Sequence, residues 1–288
     1  MKVLLAIDGS PHSEAALASA LRVLPLQTSE VDLISVLPKV EGHARGHGMR
    51  HRAEKLLDAA VKRLAQERVN AKATVSEGSA ARILIGASRN HDVIVMGSAS
   101  RRDGWTGLGP VTGRVVEHSP SSVLVGREMP PGPGLRILIP VDGSDVSLRA
   151  VQRLSTLVDL SEADVTLLHV VETPWLHAGD DQEWAGYEES AEVKIDPQAQ
   201  WEREFENRAV RVLERARTGL PIDIAANTVV RRGLPAEEIL DEAVSGEYGL
   251  IIVCAGATQD LKHEILGSTS AKVVWNAECP VLVVRGLD

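Results

Sequence analysis

The amino-acid sequence predicts an α/β protein made of two doubly wound domains, and two observations support this prediction. Short continuous apolar runs alternate with segments of helical periodicity, which is typical of parallel strands in a sheet covered by helices on both faces. The opening of this pattern occurs twice, as AIDGSPHSEAA from Ala6 and as PVDGSDVSLRA from Pro140, 134 positions later. A chain of 288 residues is long enough for two such domains.

The first half is predicted to contain five strands that alternate with four helices. The predicted strands are the runs KVLLAID, VDLISVL, AKATVSE, DVIVMG and SSVLVG. The predicted helices are SEAALASALRVL, the segment from Arg50 to Arg68, SAARILIGASRN and the region around TGRVVEHS. Strands that alternate with helices in this way lie parallel, because each helix serves as the crossover connection.

The second half repeats this order, with RILIPVD, DVTLLHVV, DIAANTVVRRG, LIIVCAG and CPVLVVR as the matching strands. Between the halves, the segment GREMPPGPG contains three prolines and three glycines and therefore predicts a linker. We predict an N-terminal domain of residues 1–126, a linker of residues 127–134 and a C-terminal domain of residues 135–288.

One segment of the second half has no counterpart of equal length in the first. Residues 172–201 are acidic and contain Trp175, Trp184 and Trp201. One interpretation is a partly ordered surface excursion. The other is a lid or a docking segment for a protein partner, because three indole side chains are costly to leave in water.

Composition and charge argue against several classes of function. The first 134 residues carry a net charge of +4 and the remainder −13, and the acidic total of −9 argues against general nucleic-acid binding. No apolar run reaches the roughly 18 residues that span a membrane, and the N-terminal residues lack the features of a secretory signal. The two cysteines, Cys254 and Cys279, form no disulfide framework. We expect a cytoplasmic protein without nucleic-acid or membrane partners.

The polar loops that follow the strands indicate a ligand site. In a flavodoxin-like doubly wound sheet the strand order reverses beside the first strand, and ligands bind in the crevice at the carboxyl ends of the strands there. The loops at Asp8 and Gly97 would border this crevice in the first domain, and those at Asp142 and Gly256 in the second. The helices that follow present free N–H groups and a positive dipole end, which suit a phosphate group.

Helix capping is the alternative role for the same loops. Asp8 and Asp142 each come between a strand and a helix, and Ser10 and Ser144 stand where an N-cap residue is expected. The sequence leaves both roles open: capping alone, or capping together with contact to a ligand.

Three histidines at intervals of four residues, His43, His47 and His51, could line one helical face as metal ligands. Gly46 and Gly48 are expected to interrupt that helix, and no carboxylate or cysteine completes a ligand set. We interpret the histidines as part of a solvated face and predict no metal site.

Sequence motifs of several well-known enzyme classes are absent from the chain. It contains no GxxxxGK[ST] loop, no GxSxG elbow and no HExxH pair. No nucleophile has a base at a spacing that suggests a triad. We therefore predict a protein that is not an enzyme and has no catalytic residues. A slow ATPase activity, with Ser268 at the terminal phosphate, is the alternative left open.

With these features, the sequence resembles the universal stress protein family in its tandem two-domain form. The resemblance covers nearly the whole chain in two copies, and it rests on the strand–DGS–helix opening, the strands LLHVVE, VIVMGS and IIVCAG, and the ending GS…CPVLVVR. It implies a Rossmann-like five-stranded parallel sheet of order 3-2-1-4-5 in each domain. It also implies pairing of the domains through their last strands, and binding of ATP, as in many members.

The resemblance further implies a phosphate-binding loop of pattern G-x2-G-x9-G-[ST], which neither domain keeps intact. In the first domain Gly97 fits the first glycine and Ser100 stands at the second. Gly109 fits the third only if one residue of the pattern is deleted, and Pro110 replaces the serine or threonine. A missing middle glycine limits how closely the backbone approaches a phosphate, and Pro110 removes an N–H donor.

In the second domain, Gly256 is aligned with the first glycine and Gln259 with the second, and Gly267 and Ser268 fit the end of the pattern after two deletions. The resemblance assigns the base-binding side to residues that the chain keeps: Asp8 and Asp142 near the adenine and ribose, Val36 and Val170 offering backbone atoms to the adenine, and Ala6 and Pro140 beneath it.

We therefore expect a non-catalytic regulatory protein of the stress response that binds ATP, with or without Mg²⁺, or another adenine nucleotide in at least one domain. The alternative is an interaction module whose nucleotide sites have degenerated and which acts through a protein partner, with residues 172–201 as the docking segment. The apolar last strands are expected to pair within the chain as an internal pseudo-dimer, because exposed apolar edges promote association. A homodimer in addition is left open.

Overall fold

The computed structural model describes residues 1–39, 43–98, 107–132, 134–172, 197–255 and 266–286, with the backbone alone for 43–46 and 197–203. Within these residues, ten strands form one continuous sheet. The strands are β1 (Lys2–Ala6), β2 (Glu30–Leu37), β3 (Ala71–Glu77), β4 (Val93–Gly97), β5 (Ser122–Gly126), β6 (Leu135–Pro140), β7 (Ala163–Val171), β8 (Ala226–Arg232), β9 (Leu250–Cys254) and β10 (Val281–Val284).

Helices cover both faces of this sheet. The α-helices of the described residues are α1 (Pro11–Val23), α2 (His43–Gln66), α3 (Ala80–Ser88), α4 (Pro110–His118), α5 (Asp145–Leu157), α6 (Pro197–Arg217), α7 (Pro235–Ser245) and α8 (Ser268–Asn276). Helices α1, α2, α5 and α6 pack on one face, around a core that includes Leu17 and Leu154. The other four pack on the opposite face, around a core that includes Leu84 and Ile239. The predicted α/β fold class is confirmed.

The two halves of the sheet follow the same order, β3-β2-β1-β4-β5 and β8-β7-β6-β9-β10. Strands within each half are parallel, whereas β5 and β10 are antiparallel and join the halves, with Leu124 opposite Leu282. Val123 and Val281 in this pair are fully buried. An apolar edge strand of one domain is thus covered by that of the other, which gives the internal pseudo-dimer expected from the sequence.

A serine caps the first helix of each domain. Ser10 Oγ accepts a hydrogen bond from the N–H of Ser13, and Ser144 Oγ accepts one from the N–H of Ser147, each at 3.2 Å. These bonds satisfy N–H groups of the first helical turn that have no partner within the helix. The predicted capping role is therefore present in both domains.

Helix α2 begins earlier than the sequence predicted, at His43 rather than Arg50, and Gly46 and Gly48 lie within it. The expectation that these glycines interrupt the helix was wrong, because a glycine in a helix costs only about 1 kcal/mol relative to alanine and the following turns bury an apolar face. His47 and His51 are exposed to solvent. The described His, Cys, Asp and Glu residues form no group of three that could hold a metal ion.

Most of the acidic, tryptophan-containing segment predicted at 172–201 lies outside the described residues, which resume at Pro197 with α6. Its interpretation as an excursion, a lid or a docking segment therefore stays a prediction. Within the described parts of the chain, no helix is long and apolar enough to cross a bilayer.

Candidate functional site

The first domain has a cavity of about 220 Å³ at the carboxyl ends of β1, β2 and β4. Ile34 of β2, Met96 of β4 and Leu84 of α3 give it an apolar interior. Asp8 after β1 and Thr112 of α4 supply polar groups at its edge. The cavity lies where the strand order reverses between β1 and β4, the position at which doubly wound sheets bind ligands.

The Asp8–Gly9–Ser10 loop is a tight turn at the edge of this cavity. Gly9 has a φ of +78°, a conformation that residues with a side chain rarely adopt. Asp8 Oδ1 accepts the N–H of Ser10 at 2.9 Å. Burial alone would raise the pKa of Asp8, but hydrogen bonds from Ser10 and Ser13 outweigh it and hold the pKa below its ordinary value. Asp8 is therefore a carboxylate at neutral pH.

The second domain has an equivalent cavity of about 190 Å³, with Leu168 and Ile239 in its apolar part. At its edge, Asp142 Oδ1 accepts the N–H of Ser144 at 2.9 Å and the hydroxyl of Ser147 at 2.7 Å. Burial would again raise the pKa of the aspartate, and these hydrogen bonds again outweigh it, so that the pKa of Asp142 is lowered.

Strand pairing identifies the residue of the second domain that corresponds to Gly97. Gly97 lies opposite Gly126 at the ends of β4 and β5. In the second domain, Cys254 lies opposite Val284 at the ends of β9 and β10. A glycine pair in one domain is thus replaced by a cysteine–valine pair in the other.

Side-chain hydrogen bonds lead to the same correspondence. Thr112 Oγ1 donates to the carbonyl oxygen of Gly97 at 2.8 Å, and Ser270 Oγ donates to that of Cys254 at 3.0 Å. The alignment of Gly256 with Gly97 from the sequence was therefore two positions off, because the apolar run LIIVCAG continues beyond the end of the strand. Gly256 itself lies outside the described residues.

The glycine pair allows α1 to pack very close to the sheet. A Cβ atom at Gly97 would lie 2.6 Å from the backbone of His12, and one at Gly126 would lie 2.3 Å from Cα of Ala16. Such distances are not observed between real atoms, so a side chain at either position would push the helix away. The cysteine–valine pair has side chains at these positions, and α5 accordingly packs less closely on β9 and β10 than α1 does on β4 and β5.

The duplicated fold and its paired clefts match a known family. Residues 1–127 and 135–285 each match the model described as the universal stress protein family. The chain belongs to the universal stress protein family.

Its relatives include proteins of full and of half length. A universal stress protein of Mycolicibacterium smegmatis is 25% identical over 313 residues, which cover 98% of this chain and 96% of that protein. Universal stress protein YxiE of Bacillus subtilis is 30% identical over 151 residues, which cover 52% of this chain and 98% of that protein. The shorter universal stress protein therefore corresponds in length to one domain of this chain.

A solved structure of similar length has the same fold. The universal stress protein from Archaeoglobus fulgidus superimposes with a TM-score of 0.67 at 19% sequence identity, covering 99% of this chain and 98% of that chain. The two chains thus share this fold although their sequences have diverged.

The two cavities bring together most of the site residues predicted from the universal stress protein pattern. The first is lined by Ala6, Asp8, Val36, Gly97 and Gly109. The second is lined by Pro140, Asp142 and Val170. Gly267 and Ser268 begin α8, whose next two residues, Thr269 and Ser270, line the cavity. Ser100, like Gly256, lies outside the described residues.

Some residues of the clefts were missed by the sequence analysis. His12 lines the first cleft, and Glu172 and Cys254 line the second. The position of His12 in the first turn after the capping serine was a signal that could have been used. The contribution of Leu84 had no local signal, because it depends on how α3 packs over the sheet.

Helices α4 and α8, which occupy equivalent places in the two domains, start differently. Gly109 caps α4 and Gly267 caps α8, and neither cap makes a side-chain hydrogen bond. The first-turn N–H groups are therefore not used by a capping side chain, which suits an anion. Pro110 at the first position of α4 has no N–H, whereas Ser268 of α8 has one.

Proposed function

We propose that this chain is a non-catalytic regulatory protein of the stress response that binds ATP or another adenine nucleotide in at least one of its two clefts. The observation that carries the proposal is the cleft: in each domain an apolar cavity meets a polar loop at the carboxyl ends of the central strands. Such a cavity suits a purine ring, and the neighbouring helix N-terminus suits a phosphate group.

The walls of the clefts support adenine as the base. Val36 and Val170 lie near the ends of β2 and β7 and line the cavities, where the family resemblance assigns their backbone atoms to the adenine. Ala6 and Pro140 end β1 and β6, and they leave room for a flat ring because neither side chain is large. Residues of the same kind occur at the same places in both domains, which favours one ligand class for both.

The hydroxyl groups around the clefts support a binding role without catalysis. Thr112 donates to the carbonyl of Gly97, and Ser147 Oγ makes bonds to the Asp142 carboxylate and, at 2.9 Å, to the backbone carbonyl of Ser144. A backbone carbonyl, and a carboxylate whose pKa is lowered as that of Asp142 is, are poor general bases and do not activate a hydroxyl as a nucleophile. These residues stabilise the loops and helix starts, and we assign them no step in ATP turnover.

A second candidate function is an interaction module that acts through a protein partner. It is favoured by one observation, the proline at the start of α4, which takes one N–H donor from the phosphate side of the first cleft. In that case the clefts would be remnants of a binding site.

Isothermal titration calorimetry with ATP, with and without Mg²⁺, tests the proposal. We expect heat of binding and an increase of the melting temperature at millimolar ATP. The matched control is the double variant Val36→Phe/Val170→Phe, in which a phenyl ring fills each adenine position and binding is lost. If the wild-type chain gives neither heat nor a thermal shift, the nucleotide proposal is wrong and the interaction module is the function to pursue.

A further inference from the structure

The two clefts differ in charge at equivalent positions. The place of His12 in α1 is taken by Val146 in α5. The pairing of β1 with β2 and of β6 with β7 makes Pro38, directly after β2, equivalent to Glu172, directly after β7. His12 lines the first cavity and Glu172 lines the second. The first cleft thus has an imidazole at the position where the second domain has a valine, and the second cleft has an extra carboxylate.

The packing of α1 accounts for part of this difference. Because the glycine pair lets α1 lie close to the sheet, its first turns bring Ser10, His12 and Ser13 into the wall of the first cavity. The more distant α5 brings only Ser147, among the described residues, into the wall of the second. The residues at the ends of the last two strands of each domain therefore determine which side chains of its first helix line the cavity.

The electrostatic character of the two sites follows from these side chains. Asp8 is accompanied by a histidine in the first cavity, whereas Asp142 is accompanied by Glu172 in the second. None of the described residues that line the second cavity is a lysine, arginine or histidine. Each cavity has one loop aspartate, and only the second has a further carboxylate, so a polyanion is repelled more strongly by the second cavity than by the first.

We propose that the two clefts select ligands by charge: the first binds the phosphorylated adenine nucleotide, and the second binds an uncharged adenine nucleoside. This proposal rests on the proposed function, because it distributes adenine ligands between the same two sites. Glu172 is the specificity-determining residue of the second cleft, at the position that Pro38 occupies in the first domain. Pro110 has no N–H, so the start of α4 has one donor fewer, and this weakens anion binding in the first cleft. The missing group is one neutral donor, however, and charged groups contribute more to anion binding than a neutral one.

Calorimetry on single-cleft variants tests this division. Val170→Phe leaves the first cleft open, Val36→Phe leaves the second open, and each protein is titrated with ATP and with adenosine. The preference of a cleft is the ratio of its affinity for ATP to its affinity for adenosine. We expect this ratio to be at least about tenfold larger in the first cleft than in the second, and we expect the difference to shrink as salt is added. Adding Glu172→Gln to the Val36→Phe protein should raise the preference of the second cleft for ATP by about threefold, towards that of the first cleft.

The outcomes separate this proposal from the one on which it rests. Equal preference in both clefts, or a stronger preference for ATP in the second, would overturn the division by charge and leave nucleotide binding in place. If neither ligand binds the wild-type chain, nucleotide binding is overturned and the division falls with it.

A second measurement uses the wild-type protein, and so does not depend on whether the phenylalanine variants fold. Cys254 is half-buried in the wall of the second cavity, so its reaction with Ellman's reagent reports occupancy of that cleft. Cys279 is buried, and burial raises the pKa of its thiol to about 11, so it reacts slowly. We expect adenosine to protect Cys254 at lower concentrations than ATP does, with Cys254→Ser as the background. Protection by ATP at the lower concentration would contradict the proposal.

Discussion

The guanidinium group of Arg127 donates a hydrogen bond of 2.6 Å to the carbonyl oxygen of Val274, at the end of α8 in the other domain. It also donates to the carbonyl oxygen of Cys279 at 3.2 Å. Arg285 makes the reciprocal contact, donating to the carbonyl oxygen of Val116 in α4 at 2.7 Å. Each arginine follows the last strand of its own domain and binds a helix C-terminus of the other, where a positive charge is favourable.

Loss of either arginine should weaken the joint between the domains. Arg285→Met keeps most of the apolar stem but leaves buried carbonyl groups without their donor, and we expect the free energy of unfolding to fall by about 1–3 kcal/mol. Urea unfolding measures the change. Arg52→Met, on the exposed side of α2, is the control and should change stability by less than about 0.5 kcal/mol. Equal effects of the two substitutions would show that the contact with α4 adds nothing.

Because α1 packs so closely on the sheet, a single methyl group added at Gly126 should lower the free energy of unfolding. Gly126→Ala would place Cβ 2.3 Å from Cα of Ala16, and we expect a loss of about 1–3 kcal/mol in the free energy of unfolding. Gly48→Ala should have the opposite sign and stabilise the protein by about 0.5–1 kcal/mol, since nothing lies within 4 Å and the position is helical. A neutral Gly126→Ala variant, measured by chemical denaturation, would mean that α1 can shift freely.

Because β5 and β10 pair in the buried centre of the sheet, a charged side chain placed in either strand should destabilise the protein. Val123 and Val281 are fully buried, so Val123→Lys or Val281→Lys would place an ammonium group in the apolar centre of the sheet. We expect a loss of more than about 3 kcal/mol or failure to fold, visible as a lower melting temperature. Ala73→Lys, at an exposed position of the edge strand β3, introduces the same side chain into solvent and should leave the melting temperature nearly unaltered. Native-like melting of both the Val123 and the Val281 variants would argue against the joined sheet.

The lowered pKa values of the two loop aspartates predict a pH dependence. Each carboxyl group has an ordinary pKa of 3.8 and a lower pKa in the folded state, so its charged form stabilises the protein at pH values above 3.8. This stabilisation is lost as the pH falls through the pKa of the folded state. Asp142→Asn should therefore be less stable than wild type at pH 7, by less than about 1 kcal/mol because the residue is exposed, and the difference should vanish in acid. Denaturation curves from pH 7 to about pH 2, below the ordinary and the lowered pKa, measure it. A difference that grows in acid would contradict the assignment.

The sequence predicted the fold because its signals are local and duplicated. The run from Ala6 to Ala16 contains a strand end, an Asp–Gly turn and a capping serine, and each of these follows from short-range chemistry. The start of α2 was missed because glycine is a weak helix breaker, which the amphipathic turns from Arg50 onwards overcome. The strand pairing that defines the joint could be expected because two apolar edges need partners.

The clefts were only partly predictable. Asp8, Val36 and Gly97 follow or end apolar runs, so their place at the carboxyl edge of the sheet could be read from the sequence. The correspondence of Cys254 with Gly97 could not, because it is set by the register between β6 and β9 rather than by glycine spacing. Helix packing distances decide which other side chains enter a cavity, and they depend on contacts far apart in the chain.

Methyl NMR during titration with Mg²⁺-ATP tests most directly whether the clefts bind an adenine nucleotide. Ile34 lines the first cavity and Ile239 the second, whereas Ile222 is exposed away from both and Ile137 is buried in the centre of the sheet on its other face. We predict that the signals of Ile34, Ile239 or both move with ATP concentration to saturation while the other two stay in place. Signals of Ile34 and Ile239 that remain fixed at millimolar ATP would contradict the account.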